Sequence, residues 1–266
     1  MPVIRPPAVA GLFYPADAGE LKQEVQEYLA AAQPFDLSPK ALIVPHAGYI
    51  YSGAIAATAY ATLRKLARKI RRVILLGPTH RVAIRGIALP GVDAFATPLG
   101  RIRIDVAAAD AIRHLAQVTT SSHAHAQEHA LEVQLPFLQS VLSDFTVLPL
   151  AVGNASAAEV AEVLECLWDG EETLIVISSD LSHYLPYATA QRIDYETVQA
   201  ILNLTQPIAH EHACGGTPVS GLIIAAAHHH LRPHLLALKN SGDTAGDRDR
   251  VVGYAALAFT EDSNRD

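Results

Sequence analysis

The stretch Ala41-Leu42-Ile43-Val44, stopped by Pro45-His46-Ala47-Gly48-Tyr49, decides the fold. Four apolar residues bounded by breakers are too few for a helix and predict a buried strand. The run has two counterparts. Val73-Ile74-Leu75-Leu76 ends at Gly77-Pro78 and leads into Thr79-His80, and Thr173 to Ile177 ends at Ser178-Ser179-Asp180 and leads into Leu181-Ser182-His183-Tyr184. None of the three alternates polar with apolar, so each is expected to be covered on both faces, as in a largely parallel sheet flanked by helices.

The segments around them support this. Helical spacing runs from Ala18 through Leu21, Val25 and Leu29 to Ala32, from Ala54 to Leu66, and from Ala155 to Leu167, with further helices over 188–203 and 218–231. Asp105 is a candidate cap for a helix over Ala107–Leu115. His129 to Leu142 has amphipathic helical spacing, with Pro136 placed to kink it. Ile84–Leu89, Phe145–Val152, Leu235–Lys239 and Val252–Phe259 read as strands. Residues 1–16, Ala94–Gly100, the His-rich 119–127 and Asn240–Arg250 read as irregular. Strands alternating with helices, with no Pro/Gly/Ser linker, predict one three-layer α/β/α domain over 1–266 with a largely parallel or mixed central sheet. The competing arrangement is two lobes divided near residue 120.

Composition narrows the function classes. The 266 residues are 50% hydrophobic and 18% charged, with a formal charge of −7, which is a globular composition. No basic run points to nucleic acid. No apolar stretch approaches about 18 uninterrupted residues, and no apolar core follows Met1–Pro7, so neither a membrane span nor export is expected. Two cysteines cannot form a disulfide framework, and a reducing cytoplasm is the expected location. There is no nucleophile elbow, phosphate loop or dinucleotide fingerprint. The acidic, glycine-rich Asn240–Asp247 lacks the spacing of an EF-hand.

The unusual residue is histidine, of which there are 13. Ligands of open α/β sheets bind beyond the carboxyl ends of the strands, and that is where His46, His80 and His183 fall. If the three strands are parallel neighbours, their loops converge on one rim. Two imidazoles need a third donor to hold an ion, and the candidates are Cys214, Asp180, Glu128 and His129. A carboxylate there suits non-haem iron(II) with open positions for oxygen, whereas a thiolate suits zinc, iron or copper. Cys214 is favoured by Gly215-Gly216, which lets backbone approach closely. His123 and His125 read as solvated loop residues. His228-His229-His230, and similarly His210, read as helix-end residues answering the dipole. Cys166 reads as a buried small hydrophobe.

Several segments together resemble the Memo family, also labelled AmmeMemoRadiSam system protein B. They are Pro7-Ala8-Val9-Ala10-Gly11-Leu12-Phe13-Tyr14-Pro15, Pro45–Tyr49, Gly77–His80, Glu128–Pro136, Ser178–Tyr184, and a tail from Asn240–Asp243 through Val251–Ala255. Their order holds over nearly the whole chain. The family is similar in fold to class III extradiol dioxygenases, which open catechol rings with non-haem iron(II). The resemblance implies a metal held by His46, His80 and Cys214, iron(II) first, with copper or zinc as alternatives. His129, Asp180 and His183 would be acid–base or supporting groups of the same pocket. The dioxygenases carry a carboxylate where this chain carries the cysteine, a departure that bears on ring-cleaving activity because a thiolate donates more charge to iron and is itself oxidisable. The resemblance also implies a small-molecule or peptide ligand and a radical-SAM partner in a modification pathway. The family's eukaryotic link to phosphorylated receptor peptides does not carry over, since no arginine cluster suited to phosphotyrosine is present.

Overall fold

Four β-branched and leucine-rich runs form the centre of the sheet in the computed structural model, which describes residues 2–261. The chain opens with β1 (Ile4–Arg5), α1 (Ala18–Ala31), β2 (Pro39–Val44), α2 (Tyr49–Ala61) and β3 (Arg72–Pro78). Next come β4 (Ile87–Leu89), β5 (Ala94–Thr97), β6 (Gly100–Arg103), α3 (Val106–Ile112), β7 (Val118–Thr120) and α4 (Ser122–Ala126). After α5 (Leu135–Val141) the chain alternates regularly through β8 (Thr146–Val152), α6 (Ala157–Cys166) and β9 (Thr173–Ser178). It closes with β10 (His183–Leu185), α7 (Tyr187–Leu202), α8 (Gly216–His228), β11 (Arg232–Asn240) and β12 (Val251–Thr260).

The main sheet runs β10-β12-β2-β9-β3-β8-β4-β7, with β11 also paired to β12. Its centre is parallel: β2 pairs with β9, β9 with β3, and β3 with β8. Antiparallel neighbours flank it, β12 on β2 and β4 on β8, so the sheet is mixed. Every residue of β2 and β9 is buried, which requires cover on both faces. One helix group, α1, α2 and α5, packs together and onto β2, β11 and β12, and a second, α3, α6 and α8, packs together and onto β3, β8 and β9. This is an α/β domain of the expected class.

The observed order of strands meets the condition for three histidine- and aspartate-bearing loops to share one rim. Because β2, β9 and β3 are parallel neighbours, the segments bearing His46, Asp180 and His80 leave the same edge of the sheet side by side.

Several local expectations are corrected. Ala94–Gly100 is not a loop but supplies β5 and the turn into β6. This hairpin captures Ile4–Arg5 of the supposedly irregular lead-in as a parallel third strand. Residues 118–126 hold a short strand and a short helix, capped when the Ser121 side chain accepts from Ala124 N. The expected helix from His129 is absent until Leu135. A turn and a 3-10 segment, Glu132–Gln134, come first, and Pro136 sits in the first turn of α5, where its missing N–H costs nothing. Cys166 is exposed rather than buried. Among the described residues no helix is long and apolar enough to cross a membrane.

Candidate metal centre

Three imidazoles from three different segments meet at the edge of the sheet. His46, His80 and His129 each offer one ring nitrogen, and these nitrogens lie within 4.8 Å of one another. The ring centroids are 5.2 Å apart for His46–His80, 5.4 Å for His46–His129 and 4.7 Å for His80–His129. His46 is fully buried, and burial, helped by the neighbouring His80, pushes its pKa down to about 3. Burial and the nearby His46 bring His129 down to about 4. His46 and His129 are therefore neutral imidazoles at ordinary pH, the form that ligates metals.

The proton positions follow from the hydrogen bonds. The Ser178 hydroxyl has one proton, which it donates to Ala130 O at 2.6 Å. It must then accept, both from Gln134 Nε2 at 2.8 Å and from His46 Nδ1 at 2.9 Å. Gln134 is itself fixed, since its other Nε2 proton goes to Pro45 O and its Oε1 accepts from Tyr60 OH. His46 therefore carries its proton on Nδ1 and presents a bare Nε2. His80 is set in the same way. Its Nδ1 lies 2.9 Å from Glu128 Oε1, while Oε2 accepts from His80 N at 2.6 Å. Glu128 is buried, yet the His80 side chain and backbone, together with Ala130 N, overcome the desolvation cost and hold its pKa down to about 2. As a carboxylate it can only accept, so His80 Nδ1 carries a proton and donates it.

His129 has no such partner. Its Nδ1 is buried without a hydrogen bond, at 3.4 Å from Glu128 Oε1. Phe13 packs on its ring, with centroids 4.7 Å apart. An orphaned buried nitrogen beside the bare His46 Nε2 and the His80 ring is a donor set that fits a transition-metal ion.

Cys214 enters from the turn just before α8. Its Sγ is 3.2 Å from His46 Nε2 and 3.7 Å from Asp180 O. Gly215 makes this approach possible, since a Cβ there would lie 2.7 Å from Ser179 Cβ. Burial, with a contribution from Asp180, pushes the thiol up to about 12. Asp180 is buried and its Oδ1 accepts from His46 N at 2.7 Å, while Oδ2 is 4.0 Å from His46 Nε2. Its pKa is raised, burial outweighing the His46 N–H. His183 stands at the rim, half-buried, with Nδ1 donating to Leu181 O at 2.8 Å and Nε2 left over. Tyr184 beside it holds a left-handed φ of 58°, a costly conformation for a bulky residue. The 181–183 segment is anchored by Gly253 O and N on β12 and by the buried Asp194, which accepts from Ser182 N.

The structure thus brings His46, His80 and His129 into one group and places Cys214 and Asp180 against His46. His125, expected in solvent, is buried instead, with Nε2 2.8 Å from Ala88 O. Arg5 has no part in the sequence reading, and Glu132, Gln134 and Ser178 appear there only inside the segments that carry the resemblance, with no individual role.

A family model described as Memo-like protein matches residues 5–258. A MEMO1 family protein of Aquifex aeolicus is 36% identical over 96% of this chain and 99% of its own length. One from Ignicoccus hospitalis is 35% identical over 97% and 99%. Among solved structures, uncharacterized protein JW3007 from Escherichia coli K12 is similar in fold, with a TM-score of 0.53 and 16% identity, covering 82% of this chain and 98% of that one. The matched range takes in every residue of the cluster from His46 to Cys214, and the chain belongs to the Memo-like protein family.

Proposed function

We propose that this chain is a metal-dependent redox protein acting on a small or peptide substrate. His46 Nε2, His80 Nε2 and His129 would hold the ion, with Cys214 beside His46 as a further donor. The ion would be iron(II), and the same donors also accommodate copper or zinc. Bound there, it would supply one-electron and oxygen chemistry. The residues around it have separable tasks. Glu128 and Ser178 fix the tautomers and orientation of His80 and His46. Asp180 holds the His46 backbone, and His183, with a free ring nitrogen at the rim, can give or take a proton from a bound substrate. The observation that carries this reading is the buried, unpartnered His129 nitrogen within a group of three imidazoles whose ligand atoms converge.

The test is metal analysis of protein purified anaerobically without chelator, beside a His46→Ala/His80→Ala double variant, followed by oxygen uptake with catechols. We expect bound iron or copper in the parent chain and at least a ten-fold loss in the variant. Equal metal content in the two would refute the ligand assignment. A second reading, a binding protein that uses the pocket without chemistry, is favoured by the exposed Leu12, Ile50, Tyr51 and Tyr184, which border segments of the site. Bound metal with no oxygen uptake would support it.

A further inference from the structure

The C-terminal ends of α6 and α8 bring a second set of metal-ligating side chains together. Glu165 lies in the last turn of α6, His228 ends α8 and His229 caps it. Glu165 Oε1 is 2.9 Å from His228 Nδ1, and its Oε2 is 2.9 Å from His229 Nε2. One ligand atom from each residue lies within 4.8 Å of the others. From the cysteine-bearing turn at the start of α8, this cluster is separated by the length of a 13-residue helix, about 20 Å.

We propose that Glu165, His228 and His229 form a second divalent transition-metal site, of the two-imidazole, one-carboxylate kind that takes zinc and its neighbours. For bonds of about 2.1 Å, donors around one ion sit about 3.0 Å apart at right angles and about 3.4 Å apart in a tetrahedron. The observed spacings of 2.9 Å need only a small opening. Each imidazole would move its proton to the opposite ring nitrogen, and the carboxylate would keep its charge.

Three features pre-arrange the donors. The His229 ring stacks on Trp168, with centroids 3.9 Å apart and planes 7° from parallel. The two helices are pressed together where Gly221 meets Val160, since a Cβ on Gly221 would lie 2.3 Å from Val160 Cγ1. Both ligand-bearing helices present their C-terminal, partially negative ends, which favours a cation. The sequence reading ascribed these histidines to the dipole of one helix, but the carboxylate between them comes from another. An ion here would tie α6 to α8 and leave an open coordination position toward solvent.

Zinc titration of the full chain by calorimetry tests the proposal independently of the central cluster. A His46→Ala/His80→Ala variant is expected to keep a zinc equivalent that a His228→Ala/His229→Ala variant of the parent chain has lost. Cobalt(II) bound to the first variant would give the visible absorption of an ordered nitrogen–oxygen site. Should the surface variant fold poorly by circular dichroism, Glu165→Gln keeps the shape of the carboxylate and is expected to weaken zinc at least ten-fold. Undiminished zinc binding in the His228→Ala/His229→Ala variant, or an unchanged affinity in Glu165→Gln, would overturn the site. Absence of any zinc equivalent from the His46→Ala/His80→Ala variant would likewise overturn this site, whereas loss of one equivalent there with another retained would support the central cluster as a separate site.

Discussion

At the scale of single residues, the two cysteines have opposite surroundings. Cys166 is exposed at the end of α6, whereas Cys214 lies against His46 and Asp180. Burial and the Asp180 carboxyl lift the Cys214 thiol to about 12, so at pH 8 almost none of it is thiolate, the reactive form. In metal-free protein, alkylation followed by mass spectrometry should therefore modify Cys166 quickly and Cys214 at least a hundred-fold more slowly. Comparable rates at the two positions would show that the pocket does not suppress the thiolate. The sequence marked Cys214 because of the two glycines after it, and the geometry of Gly215 shows what they are for. It misplaced Cys166, because an apolar helical stretch does not reveal which of its faces meets solvent. His125 is the converse error: a polar neighbourhood in sequence is a buried one in space, since β4 runs alongside and offers Ala88 O.

At the scale of elements, the lead-in is held by a single buried carboxylate. Glu132 accepts from Arg5 Nη1 at 2.6 Å, Ala8 N at 2.8 Å, Val9 N at 3.0 Å and Tyr14 OH at 2.5 Å. Arg5 in turn donates to His125 O and Glu128 O, so both sides of the ion pair also bind backbone next to the site. The segment so pinned carries Phe13, whose ring lies on His129 and whose carbonyl accepts from Tyr49 N. Glu132→Ala leaves a buried guanidinium, two backbone N–H groups and a phenol without their acceptor. The expected cost is about 3–5 kcal/mol, read as a lower urea midpoint, together with loss of protection of the 5–14 segment in hydrogen exchange. A loss under about 1 kcal/mol would mean that the segment is held by other contacts. This clamp was not legible from sequence. Periodicity finds β2, β3 and β9 because the sheet buries every residue of β2 and β9 and all of β3 but Arg72. The turn from His129 to Gln134 is shaped by polar groups more than 100 positions away in the chain, and helical spacing there misled. The hairpin β5–β6 was missed for a related reason: its strands are four residues each and find their third partner at the N-terminus.

At the scale of the whole molecule, the buried imidazoles make stability depend on pH. His46 titrates near 3, and His125 and His129 near 4, all lowered chiefly by burial from an ordinary 6.5. As pH falls below 6.5 the unfolded chain takes up these protons and the folded chain does not, so the folded state loses ground until its own rings titrate. Each such group contributes a slope of about 1.4 kcal/mol per pH unit, so three give about 4. Asp180 and Asp194 act in the opposite sense, since burial raises their pKa values and the folded chain takes up their protons first. Two against three leaves the sign intact even if both were fully opposed. Below 4.5, Glu128 adds to the loss, because its folded pKa is about 2 and its contribution fades as the pH drops toward that value. In chelator-treated protein, urea midpoints measured at pH 7, 6 and 5 should fall steadily, and His125→Gln, which removes the one of these three rings that lies outside the metal cluster, should flatten the fall by at least a third. A midpoint that is constant or rises on acidification would mean that these rings are protonated within the folded chain. A neutral imidazole cluster, and with it the donor set that could receive a metal, would then be lost.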